Sequence, residues 1–146
     1  MSGLVHAESF RDLVVYQRIR EFSRSVFVIT KGFPREEMYS LIDQIRRSVR
    51  SVGAQIAEAW AKRRYGKHFV SKLTDADGEQ QETQHWVEEA FDCGYINAAT
   101  KQELLGNLSE VGRMLQSMID KSHLFCGSPA NLVREDTVEY FTNTDD

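Results

Sequence analysis

Residues 38–60 read MYSLIDQIRRSVRSVGAQIAEAW, and their apolar pattern predicts one long helix. The apolar side chains recur at alternating steps of four and three residues: Met38, Ile42, Ile45, Val49, Val52, Ile56 and Trp60. This spacing forms one stripe along an α-helix, as two helices packed at a shallow angle require. We predict a helix from just after Pro34 to about Arg64, roughly 40 Å long at ~1.5 Å per residue. Within it, Gly53 is either a weak point or a close-packing point.

Three further segments show helical periodicity. We predict helices over residues 10–31, over residues 67–93, and from Asn97 as N-cap to about residue 124. Gly32-Phe33-Pro34 ends the first, and Gly94 is the expected cap of the third. The third helix has the most polar inner stripe, which is Phe69, Leu73, Ala76, Gln80, Thr83, Val87 and Ala90. Its Gln80 and Thr83 need partners if they are buried.

The connections between these helices are short, which makes consecutive helices antiparallel neighbours. The expected fold is therefore all-α, an antiparallel up-down-up-down four-helix bundle over residues 10–126. We expect a flexible N-terminus over residues 1–9 and an acidic, flexible C-terminal tail over residues 127–146. Within that tail, a docking role for Val138, Tyr140 and Phe141 is an alternative.

The composition is that of one ordinary globular domain of 146 residues. Apolar runs stay well short of the ~20 residues that a membrane span requires, and residues 1–10 lack a secretory signal pattern. Cys93 and Cys126 form no CxxC pair or disulfide framework. We therefore expect a cytoplasmic protein in which both cysteines are small apolar side chains.

Charge is distributed unevenly along the chain. Residues 11–72 carry 14 Lys/Arg against 6 Asp/Glu, whereas residues 73–146 carry 4 against 15. A basic first half is typical of a surface that binds polyanions. Pairing of the two halves within a bundle, or between subunits, explains the asymmetry equally well.

A cluster of basic residues in and after the second helix is the strongest functional signal. Arginine suits phosphate because its planar guanidinium donates two hydrogen bonds at once, and charges that share a face would form a phosphate track. The candidate nucleic-acid-binding residues are Arg46, Arg47, Arg50, Lys62, Arg63, Arg64 and Lys67, with Arg18, Arg20 and Arg24 adding charge on the first helix. The alternative is a solvated helix face paired with Glu36, Glu37, Asp43, Glu58 or the acidic third helix.

We expect no catalytic residue, metal or cofactor. Glu82 and His85 spell the Glu-x-x-His half of a di-iron site, but they flank Thr83 on opposite sides of a helix when Thr83 faces the core. Glu58 and Glu21 are the only further glutamates available to such a site. Cys93 lies at a helix C-terminus, which disfavours a thiolate, and the glycines form no phosphate-binding loop.

Several motifs resemble the bacterial four helix bundle protein family, first noticed as reading frames in intervening sequences of large-subunit rRNA genes. The first is FRDLVVYQ over residues 10–17, and the second runs from Phe33-Pro34 to residues 44–47, QIRR. Residues 51–59, SVGAQIAEA, residues 82–84, ETQ, and residues 94–96, GYI, are also similar. The likeness extends over about residues 10–122. It departs at Gly53-Ala54-Gln55 and at Ala59, where the family has proline, serine, asparagine and glycine, so a straighter second helix is expected.

This resemblance implies a homopentameric four-helix bundle with a central channel. For members that act as accessory proteins of diversity-generating retroelements, it further implies a basic surface that binds nucleic acid and a reverse transcriptase partner. We therefore predict a non-enzymatic, oligomeric module that binds RNA, DNA or a nucleic-acid enzyme. The alternatives are a structural homo-oligomer or protein adaptor without nucleic-acid binding and, more remotely, a carboxylate-bridged metal oxidoreductase.

Overall fold

A computed structural model of the protein describes residues 7–126. This part of the chain contains four α-helices and three short 3-10 turns, and no strand occurs in it. The helices are α1 (Val14–Thr30), α2 (Leu41–Ala61), α3 (Gly66–Asp92) and α4 (Ala98–Asp120), and the turns are Phe10–Asp12, Arg35–Glu37 and Ser122–Leu124. The predicted all-α class is confirmed. None of the described helices combines the length and the apolar character that crossing a bilayer requires.

The first helix begins later than the sequence predicts, because a capped turn precedes it. The Ser9 hydroxyl accepts a hydrogen bond from the Arg11 amide, and the Asp12 carboxylate accepts one from the Ser9 amide, which closes the Phe10–Asp12 turn as a capping box. Leu13 is extended, and the α-helix starts after it. Ile19, Phe22 and Val26 form its buried inner stripe.

The second helix is shorter than predicted at both ends. It begins at Leu41 and ends at Ala61, so its 21 residues extend about 32 Å at ~1.5 Å per residue. The prediction that Met38 joins its buried stripe is wrong, since Met38 is 43 % exposed and lies in the turn before the helix. The other predicted members of that stripe are buried: Ile42, Ile45, Val49, Val52, Ile56 and Trp60.

The third helix follows its predicted stripe at every position. The buried residues of α3 are Phe69, Leu73, Ala76, Gln80, Thr83, Val87 and Ala90. The two polar members have the partners that burial requires. The Thr83 and Ser48 hydroxyl oxygens lie 2.8 Å apart, and the Gln80 side-chain amide donates to Asp77 and accepts from Gln84.

Contacts between consecutive helices are consistent with an antiparallel arrangement. Between α2 and α3, residue 48 contacts residue 83 and residue 58 contacts residue 72. The residue numbers thus increase along α2 where they decrease along α3, which makes these two helices antiparallel. The early part of α2 contacts the end of α1 through Arg46 and Thr30, and the early part of α4 contacts the late part of α3 through Lys101 and Glu88. Each helix thus packs against its neighbour in the chain, as the predicted up-down-up-down order requires.

The last helix has a capped start and an aromatic contact beyond its end. The predicted N-cap is present, since the Asn97 side chain accepts a hydrogen bond of 2.8 Å from the Thr100 amide. Gly94 has a positive φ of 79°, as a helix-terminating glycine adopts. Beyond α4 the Phe125 ring stacks on Phe69 with ring centroids 5.7 Å apart. The predicted acidic tail, residues 127–146, lies outside the described residues.

Candidate nucleic-acid interface

A groove of about 660 Å³ runs along the surface between α1 and α2. We call it the α1–α2 groove. Its α2 side includes three residues with small side chains, Gly53, Ala54 and Ala57. A β-carbon built on Gly53 would lie 3.7 Å from both Tyr16 and Ile19 of α1. The lining residues are Phe10, Tyr16, Ile19, Arg20, Ser23, Arg24, Phe27, Val28, Val49, Arg50, Gly53, Ala54 and Ala57. The groove is therefore apolar and aromatic along its length, with three arginines at its sides.

Two of these arginines have no ion-pair or hydrogen-bond partner among residues 7–126. They are Arg24 of α1 and Arg50 of α2, and both side chains are exposed. The third, Arg20, donates a hydrogen bond of 2.9 Å to the Tyr16 hydroxyl, and its guanidinium lies 5.7 Å from the centre of that ring. Two neighbouring helices thus present available guanidinium groups beside aromatic rings.

Arg46 lies one turn before Arg50, but its guanidinium binds the end of α1. It donates to the Thr30 hydroxyl at 2.8 Å and to the Phe27 carbonyl at 3.3 Å, and it covers the Phe27 ring at 4.5 Å. The last carbonyl groups of a helix carry partial negative charge, which favours a cation at this position. Arg46 therefore fixes α1 against α2 while it borders the basic surface.

Arg47 points toward α3 instead. Its guanidinium donates to Glu82 at 2.6 Å and lies 3.9 Å from Glu79. The acidic third helix, one of the partners that the sequence suggested, thus neutralises Arg47. Two of the other suggested partners are engaged elsewhere, since Glu58 binds Lys72 at 2.8 Å and Glu37 accepts hydrogen bonds from Ser40 and Tyr95.

The remaining predicted residues surround the turn between α2 and α3. Lys62, Arg64 and Lys67 are exposed, whereas the Arg63 guanidinium stacks 3.7 Å from the centre of the Trp60 ring and donates to the Trp60 carbonyl. Arg64 lies 14 residues after Arg50, about 21 Å along the helix direction at ~1.5 Å per residue. The seven predicted residues therefore divide into two basic surfaces plus the Arg47 ion pair.

Charge near the turn lowers the pKa of Glu58. The hydrogen bond and charge of Lys72 are the main causes, and Lys62 adds to the effect. Glu58 thus remains ionised beside the turn, and it partly balances the charge of Lys62.

The sequence prediction placed the centre of the basic surface on α2 alone and gave Arg20 and Arg24 only a supporting role. The structure places these two residues across the groove from Arg50. A signal for this was present, because residues 20, 24, 27 and 28 follow helical spacing on a face other than the buried stripe. The sequence pattern of each helix alone does not predict how α1 and α2 align, and this alignment places Arg20 and Arg24 opposite Arg50.

Both residues of the Glu-x-x-His motif, Glu82 and His85, contact other side chains of the bundle. Glu82 accepts hydrogen bonds from Arg47 and from the Trp86 indole, and His85 is exposed with its ring 4.7 Å from that of Trp86. No cluster of three potential metal ligands is formed by residues 7–126.

Comparison with known proteins identifies the family. Residues 11–117 match the 23S rRNA-intervening sequence protein family, and this match extends over most of the chain. The chain belongs to this family. The resemblance seen in the sequence motifs is therefore confirmed.

A solved structure from the S23 ribosomal protein family is similar to this intervening sequence protein family member. It is the crystal structure of a protein of unknown function from Bacteroides thetaiotaomicron VPI-5482, which is 29% identical. The likeness covers 73% of this chain and 96% of that chain, with a TM-score of 0.67. No curated protein matches the chain significantly.

The motifs that carry the intervening sequence protein resemblance meet one another in the fold. Glu82 and Thr83 of the ETQ motif contact Arg47 and Ser48 of α2. Tyr95 of the GYI motif donates to Glu37, which follows the Phe33-Pro34 motif. These residues hold the helices together.

Proposed function

We propose that this protein is a non-enzymatic helical-bundle module that binds nucleic acid through the α1–α2 groove. One observation supports this proposal above the others: Arg24 and Arg50 face one groove from two helices and have no partner among the described residues. Guanidinium groups neutralise phosphates, and aromatic rings stack on bases, so the combination suits a single strand.

The aromatic residues of the groove add a second reason. Phe27 is 38 % exposed, with the Arg46 and Lys31 cations against its ring, and Tyr16 and Phe10 line the same groove. Single-stranded nucleic acid is held by a basic track with aromatic platforms beside it, and a base on such a platform contributes about 1–3 kcal/mol. Lys62, Arg64 and Lys67 form a second basic surface at the turn between α2 and α3, outside the groove.

Binding of a labelled single strand to the full chain tests this proposal. Fluorescence anisotropy with a 20-nucleotide RNA, and with DNA of the same sequence, is measured over a salt series. We expect Arg24→Gln/Arg50→Gln to weaken binding about tenfold at low salt. The slope of log K against log salt should fall by about 1.4, because each lost phosphate contact removes about 0.7 for a single strand.

The matched control places the same loss of charge elsewhere. Arg113 is exposed on α4, outside the groove, and Arg47 is already paired with Glu82. Arg113→Gln/Arg47→Gln should leave the affinity within about twofold of the wild type. Equal weakening by both double variants, or a wild-type chain that binds neither strand, would reject the groove as a nucleic-acid site.

A second proposed property is self-association, with a pentamer as the state that the family resemblance implies. Exposed apolar side chains favour it, since Tyr39 is 92 % and Met38 is 43 % exposed in a groove of about 430 Å³ beside α2. Light scattering should give a multiple of the chain mass, and Tyr39→Ser should lower it. Tyr65→Ser, at another exposed tyrosine, is the control and should not change the mass.

A nucleic-acid enzyme such as a reverse transcriptase is the proposed protein partner. The same groove variants test this extension, because an enzyme recruited through bound RNA is lost together with RNA binding. Retention of the enzyme by Arg24→Gln/Arg50→Gln in a pull-down with nuclease treatment would instead indicate a direct protein contact elsewhere.

A further inference from the structure

The α1–α2 groove exposes apolar surface beside basic side chains. Val28 is 65 % exposed and Phe27 38 % exposed, and both line the groove with Arg24 and Arg50. Apolar surface in a groove of this size is stabilised when a segment with apolar side chains covers it. The arginines at its sides favour a segment that also carries carboxylates.

We propose that residues 130–146 of this chain dock in its own α1–α2 groove and shield the nucleic-acid site. The sequence of this segment has both the apolar side chains and the carboxylates that suit the groove. Tyr140 and Phe141 follow Glu139 directly, and Val138 precedes it. The segment contains five carboxylates and one basic residue, and its acidic residues are Glu135, Asp136, Glu139, Asp145 and Asp146.

The described chain ends near the end of the bundle from which the groove runs. The Phe125 ring stacks on Phe69 near the start of α3, so residue 126 lies beside the turn between α2 and α3, which contains Arg63. Ala57, which lines the groove, precedes Arg63 by six residues, about 9 Å at ~1.5 Å per residue.

The intervening chain is long enough to reach the middle of the groove. Tyr140 follows Cys126 by 14 residues, which extend at most about 46 Å at ~3.3 Å per residue. Arg50 precedes Arg63 by 13 residues, about 20 Å of helix. A segment tethered this closely has an effective concentration in the millimolar range, so a weak contact suffices to keep it in place.

Shielding of the nucleic-acid site follows if the groove binds RNA, and this part of the inference rests on the proposed function. The carboxylates of the segment would occupy the positions of phosphates beside Arg24 and Arg50. The aromatic pair would occupy the positions of bases beside Phe27. RNA would then have to displace the segment, which lowers its apparent affinity.

Disulfide formation in the full chain tests docking directly. Ala54 is exposed in the groove, and Asn143 lies two residues after Phe141, so the anchors stay unchanged in Ala54→Cys/Asn143→Cys. Cys93→Ser in every variant removes the exposed native thiol. Gln116→Cys/Asn143→Cys is the matched control, because Gln116 is exposed on α4, ten residues before Cys126.

We expect the Ala54→Cys pair to form a disulfide within one chain about tenfold faster than the Gln116→Cys pair. Arg24→Gln/Arg50→Gln in the same background should remove most of this difference. Equal rates for the two pairs overturn the proposal. A disulfide that joins two chains on a non-reducing gel also overturns it, since the occupant is then a second copy.

The shielding is tested with Tyr140→Ser/Phe141→Ser, which leaves the net charge unchanged. We expect this variant to bind the 20-nucleotide RNA several-fold more tightly than the wild type. Unchanged affinity overturns the shielding. If neither protein binds RNA, the proposed function and the shielding fall together, whereas the disulfide rates still decide docking.

Discussion

The Tyr95 hydroxyl donates a hydrogen bond of 2.7 Å to the Glu37 carboxylate and thereby joins the turn after α3 to the turn before α2. The other oxygen of the same carboxylate accepts from the Ser40 hydroxyl at 2.6 Å and from the Leu41 amide at 3.3 Å. Glu37 thus accepts a hydrogen bond from the N-terminus of α2. The same side chain connects this helix end to the turn between α3 and α4.

The first prediction concerns alkaline pH. The Glu37 hydrogen bond is the main cause that raises the pKa of Tyr95 to about 12 from 10.0. The folded state therefore favours the neutral phenol, and this stabilisation is complete below pH 10 and lost as the pH rises toward 12. We expect Tyr95→Phe to lower the melting temperature by roughly 3 °C at pH 8 and to reduce the further loss between pH 10 and 12.

Thermal melts followed by circular dichroism at several pH values provide the measurement. Tyr65→Phe is the control, because Tyr65 is 58 % exposed and lies outside the surface proposed for self-association. The same alkaline profile for wild type and Tyr95→Phe would contradict a role for this hydrogen bond.

The second prediction concerns the buried hydroxyl pair between α2 and α3. Ser48 and Thr83 are fully buried, and Thr83 also donates to the Glu79 carbonyl at 2.8 Å. Ser48→Ala or Thr83→Val alone leaves the other hydroxyl with fewer partners, so each should lower the free energy of unfolding by about 1–3 kcal/mol. The double variant should cost less than the sum of the two, because both polar groups are removed together.

Urea unfolding of the four proteins in this cycle measures the coupling. Thr74→Val is the control on α3, since Thr74 is exposed and donates only to the Val70 carbonyl. It should change stability by no more than about 0.5 kcal/mol. Strictly additive effects of Ser48→Ala and Thr83→Val would show that the two hydroxyls do not interact.

The sequence predicted features that depend on spacing within one helix, and it missed features that depend on side-chain hydrogen bonds. The α3 stripe was predicted fully, because burial on one helix face repeats every three or four residues. Met38 follows the same spacing but lies outside its helix, because Glu37 binds Ser40 and Leu41 and holds a separate turn there. Side-chain periodicity does not reveal such a contact.

The candidate site was predicted less completely than the fold. Arg46, Arg47 and Arg50 lie within five residues of sequence, yet Arg46 contacts the end of α1, Arg47 contacts the acidic face of α3, and Arg50 lines the open groove. Which partner each arginine meets depends on how three helices align. A single helix pattern predicts that a basic surface exists but not which of its charges remain available.

The third prediction decides between the two roles that the sequence left open for Gly53. A β-carbon at this position would lie 3.7 Å from Tyr16 and Ile19, which is ordinary van der Waals contact. Helix propensity therefore dominates, and Gly53→Ala should stabilise the protein by about 1 kcal/mol in urea unfolding. Gly78→Ala, where the new methyl group meets open space, should give a similar gain. Destabilisation by Gly53→Ala alone would instead show that close helix packing requires the glycine.

The fourth prediction concerns the two thiols. Cys93 is exposed and Cys126 is buried, and burial raises the pKa of the Cys126 thiol to about 11. At pH 8 only about one Cys126 in a thousand is then a thiolate, the form that attacks disulfide reagents. We expect Ellman's reagent to modify one thiol quickly in the native protein and the second only after the denaturant transition.

Cys93→Ser assigns the two phases, because it should abolish the fast one and leave the slow one unchanged. The slow rate then measures how often the bundle end near Cys126 opens, since the stacked rings of Phe125 and Phe69 cover this region. Phe125→Leu should weaken that packing and accelerate the slow phase at low denaturant. A native Cys126 that reacts as fast as Cys93 would show that residues 122–126 do not pack as the structure describes.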